Sequence, residues 1–358
     1  IAAQAVAVEQ ALDELGRGHY LYVGALPGPT VVIRYPRLTN VGPERFHAAV
    51  QKEAGQNIPY DLSEVYLDYT LLDDAEEDGV RTQRVLLVAA RHEVIDGRVQ
   101  VAEAANLQLG VLSVDSLALA DAAEACDFLR VGETVAMVNI GLSASSIHFL
   151  KDGKSNFIRD VNWGGRELIQ AIAKDRRCDI VEAERLLMGA NTERDEQAAA
   201  AAAAQQAPKE SASTSEGSSL LDPLDEELGS AGADPFGEAL ETEPEPAAVQ
   251  GPATRSTEEV LSAGLARVVS EVRRSFDYYE HQLYERPVDR LILSGGVAPL
   301  EMLRETLEDE LGLENVEVAD PLNSALFLGD EASTAPLREQ PAQFMVALGL
   351  AARGVAEL

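Results

Sequence analysis

The sequence predicts an α/β protein of two lobes with mixed sheets, and three observations lead there. Runs of β-branched and aliphatic residues alternate with amphipathic helical stretches along most of the chain. The turn Lys151-Asp152-Gly153-Lys154 separates two apolar runs and marks a hairpin, so one sheet must contain antiparallel strands. The 358 residues, 46% of them hydrophobic, suit two cores at the usual ~100–200 residues per domain.

The elements follow in order. Residues 2–15 place apolar side chains at helical spacing. Tyr20–Leu26 and Thr30–Tyr35 are strand-like runs split by Pro27-Gly28-Pro29. Pro43–Gln56 reads as an amphipathic helix, and the second half of Ile58–Leu72 alternates like a strand. Asp73–Gly79 reads as an acidic hairpin tip leading into a strand at Arg84–Ala90. Residues 30–90 therefore form a compact α+β module. Beyond it come a helix at His92–Ala105, a strand at Leu109–Val114 and a helix at Asp115–Phe128. Strands at Glu133–Asn139, Ser146–Leu150 and Ser155–Val161 precede helices from Gly164-Gly165 to about Arg176 and over Ile180–Met188. After residue 256 the sequence predicts a helix at Thr257–Leu283, capped by Ser256 or Thr257. A strand at Arg290–Ser294, a helix at Leu300–Leu311, a strand at Val316–Ala319 and a helix at Gln343–Arg353 complete it.

Residues 192–256 differ in kind. They carry 14 Asp/Glu against 3 Lys/Arg, a net of −11, about a third of the chain's −32. Ala, Pro and Ser dominate and aromatics are scarce, so too little apolar area exists to offset chain entropy. A disordered acidic insertion is expected. Within it Asp222-Pro-Leu-Asp-Glu-Glu-Leu228 and Asp234-Pro-Phe-Gly-Glu-Ala-Leu240 repeat one pattern. Each could nucleate a short recognition helix, or the match could be chance in acidic, Pro-rich sequence.

The charge excludes whole classes of function. At −32 the chain has too little basic surface to neutralise a nucleic-acid backbone or dock on an anionic membrane leaflet. No apolar run approaches the roughly 20 residues of a membrane-spanning helix, and residues 1–15 do not read as a signal peptide. A soluble cytoplasmic protein is expected. Cys126 and Cys178 lack partners at zinc or CxxC spacing and read as buried thiols in a reducing compartment. His19, His47, His92, His148 and His281 are scattered, without a ligand pair. Tyr278, Tyr279 and Tyr284 sit at helical spacing and are expected to pack on a sheet.

Two loops could carry chemistry. In Val135–Leu150 a buried strand ends at Asn139, passes Gly141, Ser143 and Ser145, and returns as a second strand. Glycine and hydroxyls in such a turn can approach phosphate oxygens. In Leu291–Leu300 a strand runs into Gly295-Gly296-Val297 ahead of a helix, where a nucleotide could sit close to the backbone. Each alone is equally an ordinary structural turn.

Taken together and in this order, the two loops resemble the phosphate and adenosine motifs of actin-like ATPases, and within these the PilM family of type IV pilus proteins. The resemblance extends over Glu53, Ile58-Pro59, Glu64 and Asp68, then Leu86–Ala90 and Val114-Asp115. It continues through Asn162-Trp163-Gly164-Gly165, Glu182–Arg185, Ser275–Tyr279 and Phe344–Leu350. It implies an actin-like fold with an inserted α+β subdomain like that of FtsA. Residues 1–29, 91–130 and 341–358 would form the first lobe, 30–90 the inserted subdomain, and 131–191 with 257–340 the second lobe. It further implies ATP and Mg in the cleft, held by Asn139, Gly141, Ser143, Ser145, Gly164, Gly165, Glu184, Gly295, Gly296 and Val297. The partner implied is PilN, whose cytoplasmic N-terminal tail docks near the 30–90 module. PilO, the pilus motor ATPases and the platform protein PilC belong to the same machine, and self-association into a ring is compatible with it. The location implied is peripheral at the inner membrane, through PilN, in support of pilus assembly and twitching motility.

Three departures weaken the nucleotide chemistry. The family's opening Asp-x-Gly phosphate loop is not found before the helix at residue 2, so either it precedes Ile1 or this form lacks half of its phosphate cradle. Asn139 stands where the family has an acid and loses the charge that would hold a magnesium shell. Leu187 stands where a Lys is expected. A scaffold with weak or absent hydrolysis is the leading expectation; the alternatives are an active nucleotide-dependent switch and a polymer-forming protein like FtsA.

Overall fold

The computed structural model describes residues 1–16, 18, 20–77, 79–192, 194, 255–324, 334 and 337–357. The expected insertion and its repeated motifs, and His19, lie outside the described residues.

Three sheets organise the described residues. The first pairs β1 (Tyr22–Leu26) in parallel with β6 (Leu109–Val114). The second is antiparallel and built on the long β5 (Val80–Arg91), with β4 (Val65–Glu77) along one side and β2 (Val31–Arg34) and β3 (Arg37–Thr39) along the other. The third runs β11-β10-β7-β8-β9, comprising Val316–Val318, Arg290–Ser294, Thr134–Ile140, Ser145–Lys151 and Lys154–Val161. Its β11, β10 and β7 are parallel, while β7, β8 and β9 form the predicted antiparallel hairpins.

Period-2 side-chain alternation gives the third sheet two apolar faces. Ala136, Val138 and Ile140 of β7, with Leu291 and Leu293 of β10, point into one core, where α5 (Gly165–Arg176) and α7 (Thr257–Asp277) pack. Val135, Met137 and Ile292 point into the other core, against α4 (Asp115–Ala125) and α9 (Met345–Ala356). Both faces are dry, which is why these strands read as unbroken apolar runs rather than alternating ones. A third core packs Val50 and Ala54 of α2 (Pro43–Asn57) on Val85, Leu87 and Ala89 of β5. The remaining described helices are α1 (Ala2–Leu15), α3 (His92–Ala104), α6 (Ile180–Met188) and α8 (Glu301–Leu311).

Several expectations need correction. Residues 73–77 of the acidic stretch are strand rather than hairpin tip, because Asp73 and Asp74 find cross-strand cationic partners in Arg84 and Arg81, and Gly79 turns. The helix from Asp115 ends at Ala125, where Asp127 turns to φ 57° and Phe128 N–H bonds back to Ala123. The helix from Thr257 gives way at Tyr278 to a single π-type turn through Gln282. That extra residue per turn seats Tyr279 against Phe149, rings stacked at 4.3 Å, with its hydroxyl accepting from Asn156 Nδ2. Tyr278 packs its ring on Phe157 of β9 at 5.2 Å though it is only partly covered, whereas Tyr284 is 89% exposed and does not pack on the sheet as helical spacing predicts. Strand β3 was missed, being three residues long. Cys126 is buried, whereas Cys178 is only half-buried.

Candidate functional site

The two glycine loops leave adjacent strands of the third sheet side by side. β7 and β10 pair in parallel with Asn139 opposite Ser294, and the Ser294 hydroxyl donates to Asn139 Oδ1 at 3.2 Å. Each strand then turns away. Gly295 takes φ +91°, and a Cβ there would collide with the Ile140 carbonyl, so a side chain is excluded on both counts. Gly164 meets the other loop as closely, since a Cβ would lie 2.5 Å from Gly141 O.

Around these turns lies a cavity of about 310 Å³. Asn139, Gly141 and Gly165 line it from one loop and the start of α5, Glu184 from α6, and Gly295, Gly296 and Val297 from the other loop. Three of the expected residues stand apart. Ser145 is buried and its hydroxyl is spent on the Trp163 carbonyl at 2.8 Å. Gly164 lies beneath the loop, and Ser143 sits on its exposed tip; neither lines the cavity. Sequence reasoning passed over Ile169, one helical turn after Gly165, a position that the period of α5 marks as facing the same way. It also passed over Gln340, Gln343 and Val346, which arrive from the far end of the chain and have no local signal.

The lining suits a heterocycle and sugar better than a triphosphate. Ile169, Leu187, Met188, Val297 and Val346 supply apolar walls, and Gln340 and Gln343 supply polar groups. Among the described residues that line it, Glu184 is the single charged side chain. Three of the backbone donors that could cradle phosphate are engaged. Gly165 N–H bonds Gly141 O at 2.9 Å, Arg166 N–H bonds Leu142 O at 2.9 Å, and Gly295 N–H bonds Ala342 O at 2.9 Å. A magnesium ion usually takes one or two carboxylates plus phosphates; here one carboxylate is offered, and no cluster of three ligand side chains exists among the described residues. The residues therefore do not fit a magnesium triphosphate, and no step is derived through one.

A buried polar chain crosses nearby. Tyr35 OH and His148 Nε2 each lie 2.7 Å from Ser155 Oγ, and His148 Nδ1 lies 2.8 Å from the Ser116 carbonyl. The carbonyl can only accept, so Nδ1 carries the proton, Ser155 donates to Nε2, and Tyr35 donates to Ser155. Burial holds His148 near pKa 4, hence neutral, and pushes the Tyr35 phenol up. Beside this chain Asp115 accepts from Gly28 N–H at 2.7 Å, and Asp160, packed directly on Gly28, accepts from Ser146 Oγ at 2.6 Å. Burial, reinforced by the charge of Asp115, raises Asp160 to about 6.

A second concavity, an apolar groove of about 600 Å³, runs between β4 and β6. The consecutive residues Tyr66 to Thr70 form one wall, Val111 to Val114 the other, and Leu86, Val88 and Ala90 the floor. β4 pairs with β5 alone among the described strands, so it is an edge strand. The rim carries Asp68, Glu357 and Arg353, the last paired with Asp121 at 2.7 Å.

The family model for type IV pilus assembly protein PilM matches residues 2–196 and 243–355. Among solved structures the chain is similar to a PilM–PilN type IV pilus biogenesis complex. The TM-score is 0.68 at 22% identity, covering 99% of this chain and 85% of that one. It is less similar to the ethanolamine utilization protein EutJ from Carboxydothermus hydrogenoformans, with TM-score 0.41, 15% identity and coverage of 73% and 61%. For MreB 5 of Spiroplasma citri bound to AMPPNP the TM-score is 0.42, with 13% identity and coverage of 75% and 66%. The last two fall below the similarity at which a shared fold can be argued. The fold expected from the sequence, the actin-like α/β fold of PilM, is the one observed, and the chain belongs to the PilM family of type IV pilus assembly proteins.

Proposed function

We propose that this chain is a scaffold of the type IV pilus machine, and that the groove beside β4 receives the extended cytoplasmic N-terminal tail of PilN. The observation that carries this reading is the groove itself. An apolar trough beside an unpaired strand edge supplies backbone hydrogen bonds for affinity and pockets for alternate side chains. The acidic rim at Asp68 and Glu357 favours a tail with basic residues. The proposal extends, through PilN, to PilO, the motor ATPases and PilC, to twitching motility and to assembly of the protein into a ring. In the same proposal the 30–90 module is the docking subdomain, set against a lobe made of 1–29, 91–130 and 341–358. No described helix is long and apolar enough to cross a membrane, and attachment at the inner membrane comes, on this reading, from PilN.

The test is titration of the full chain with a peptide of the PilN N-terminal tail. Val88→Arg, which puts a charge on the groove floor, should weaken binding roughly tenfold to a hundredfold with the fold intact by circular dichroism. Unchanged affinity would sink the assignment.

A second reading, a nucleotide-dependent switch, is favoured by the cavity between the glycine loops. Its apolar walls and single carboxylate support weak nucleoside or nucleotide binding with little or no hydrolysis. Steady ATP turnover by the full chain, abolished by Asn139→Ala, would overturn the non-enzymatic reading.

A further inference from the structure

We propose that a third cavity, of about 440 Å³ between the β3–β5 sheet and the β8–β9 hairpin, binds a phosphate dianion, free or as a small phosphomonoester. Four cationic side chains line it: Arg37 and Arg84 from the sheet, Lys151 and Lys154 from the hairpin. Each of two carboxylates is shared between two of them. Asp73 lies 2.7 Å from both Arg84 and Lys154, and Glu285 lies 2.6 Å from Lys151 and 3.7 Å from Arg37. The third acid, Asp152, is drawn off by Arg286 at 3.3 Å, which does not line the cavity. With Arg286 counted beside Asp152, five positive charges against three negative leave an excess of two.

In a chain of net charge −32 with 29 Lys and Arg, such a concentration of cations runs against the protein's overall field. Glu285 stays ionised, held below the usual carboxylate range by its hydrogen bonds and the charge of Lys151 despite burial, so protonation does not alter the count. A concave site with a net excess of one sign focuses its field on an entering counter-ion. A dianion restores neutrality where a monovalent anion would not. Guanidinium forks suit phosphoryl oxygens, and Thr82 adds a neutral hydroxyl. The volume lies in the range of small-molecule sites and exceeds a single phosphoryl group, which leaves room for the ester. The cavity shares no lining residue with the glycine-loop cavity or the β4 groove, so the proposal is independent of the function proposed above. A bound dianion would tie the 30–90 module to the β8–β9 hairpin, since both contribute cations.

The experiment is calorimetric titration of the full chain with inorganic phosphate and separately with glycerol phosphate, at matched ionic strength in chloride. One site is expected. Binding of phosphate alone assigns it to the free ion, and tighter binding of the ester assigns it to a phosphomonoester. Arg37 and Lys154 have 64% and 51% exposed side chains, so Arg37→Gln with Lys154→Gln should leave the fold intact and weaken binding roughly tenfold or more. Thr82→Glu supplies a carboxylate inside the cavity and should abolish binding while raising Tm in phosphate-free buffer. The absence of heat with either ligand up to about 10 mM, or equal affinity in the wild type and both variants, would overturn the proposal.

Discussion

The glycine-loop cavity and the β4 groove are built by opposite means. In the cavity much of the surrounding backbone is committed. Loop amides bond each other's carbonyls, Gly295 holds a positive φ, and a single carboxylate faces inward. In the groove the backbone of β4 is paired along one edge and, among the described strands, open along the other, above an apolar floor. The first region keeps its shape at the expense of free donors; the second keeps donors free at the expense of an exposed edge. A scaffold needs the second more than the first. An extended peptide must find unsatisfied hydrogen-bonding groups on arrival, whereas a pocket with three of its amides already bonded and one carboxylate facing inward gains less from a phosphate.

The largest expected effect breaks the cavity. Gly295→Val adds a β-branched side chain at φ +91° against the Ile140 carbonyl and should cost about 3 kcal/mol or more of stability by denaturant unfolding. A loss below about 1 kcal/mol would show that the loop relaxes and that its shape is not structural. Next comes the groove, where Val88→Arg should weaken tail binding roughly tenfold to a hundredfold while leaving unfolding stability within about 1 kcal/mol. Loss of both together would mean that the groove floor is core.

A smaller effect concerns Asp160 and pH. Its folded pKa, about 6, exceeds the unfolded value of 3.8. The stabilising proton is therefore fully bound below about pH 4 and lost as pH rises through 6. Asp160→Asn should raise stability by about 1–3 kcal/mol at pH 8 and leave it unchanged at pH 4, measured as Tm across that range. A pH-independent difference would remove the burial of this carboxylate as the cause. The smallest effect sharpens the comparison. Asn139→Asp restores an acid at the cavity wall while keeping an acceptor for Ser294 Oγ. It should raise magnesium-dependent nucleotide affinity by no more than about tenfold, read by titration with a fluorescent nucleotide. A much larger gain would mean that one charge was all the cavity lacked.

Legibility in the sequence followed the range of the forces involved. The strands β7 and β10 were plain because both faces are buried, and the α5 start at Gly164-Gly165 was plain because close backbone contact leaves little choice of residue. Ser145 was misjudged because a hydroxyl after a glycine turn looks the same whether it faces a ligand or the Trp163 carbonyl. The acidic run at 73–77 looked like a loop because its partners, Arg81 and Arg84, become neighbours only when β4 and β5 pair.

By itself the sequence determined the order of elements, the two glycine loops and the family, since each rests on period, turn chemistry or residues close together in the chain. Only the tertiary structure decided what those loops enclose. The lining of the cavity by Gln340 and Gln343, the engagement of its amides and the excess of two charges between β3–β5 and β8–β9 all depend on residues that are far from neighbours in the chain, 24 positions apart for Gly141 and Gly165 and 201 for Asn139 and Gln340. Charge balance and hydrogen-bond satisfaction are sums over neighbours in space, and a linear pattern does not carry them.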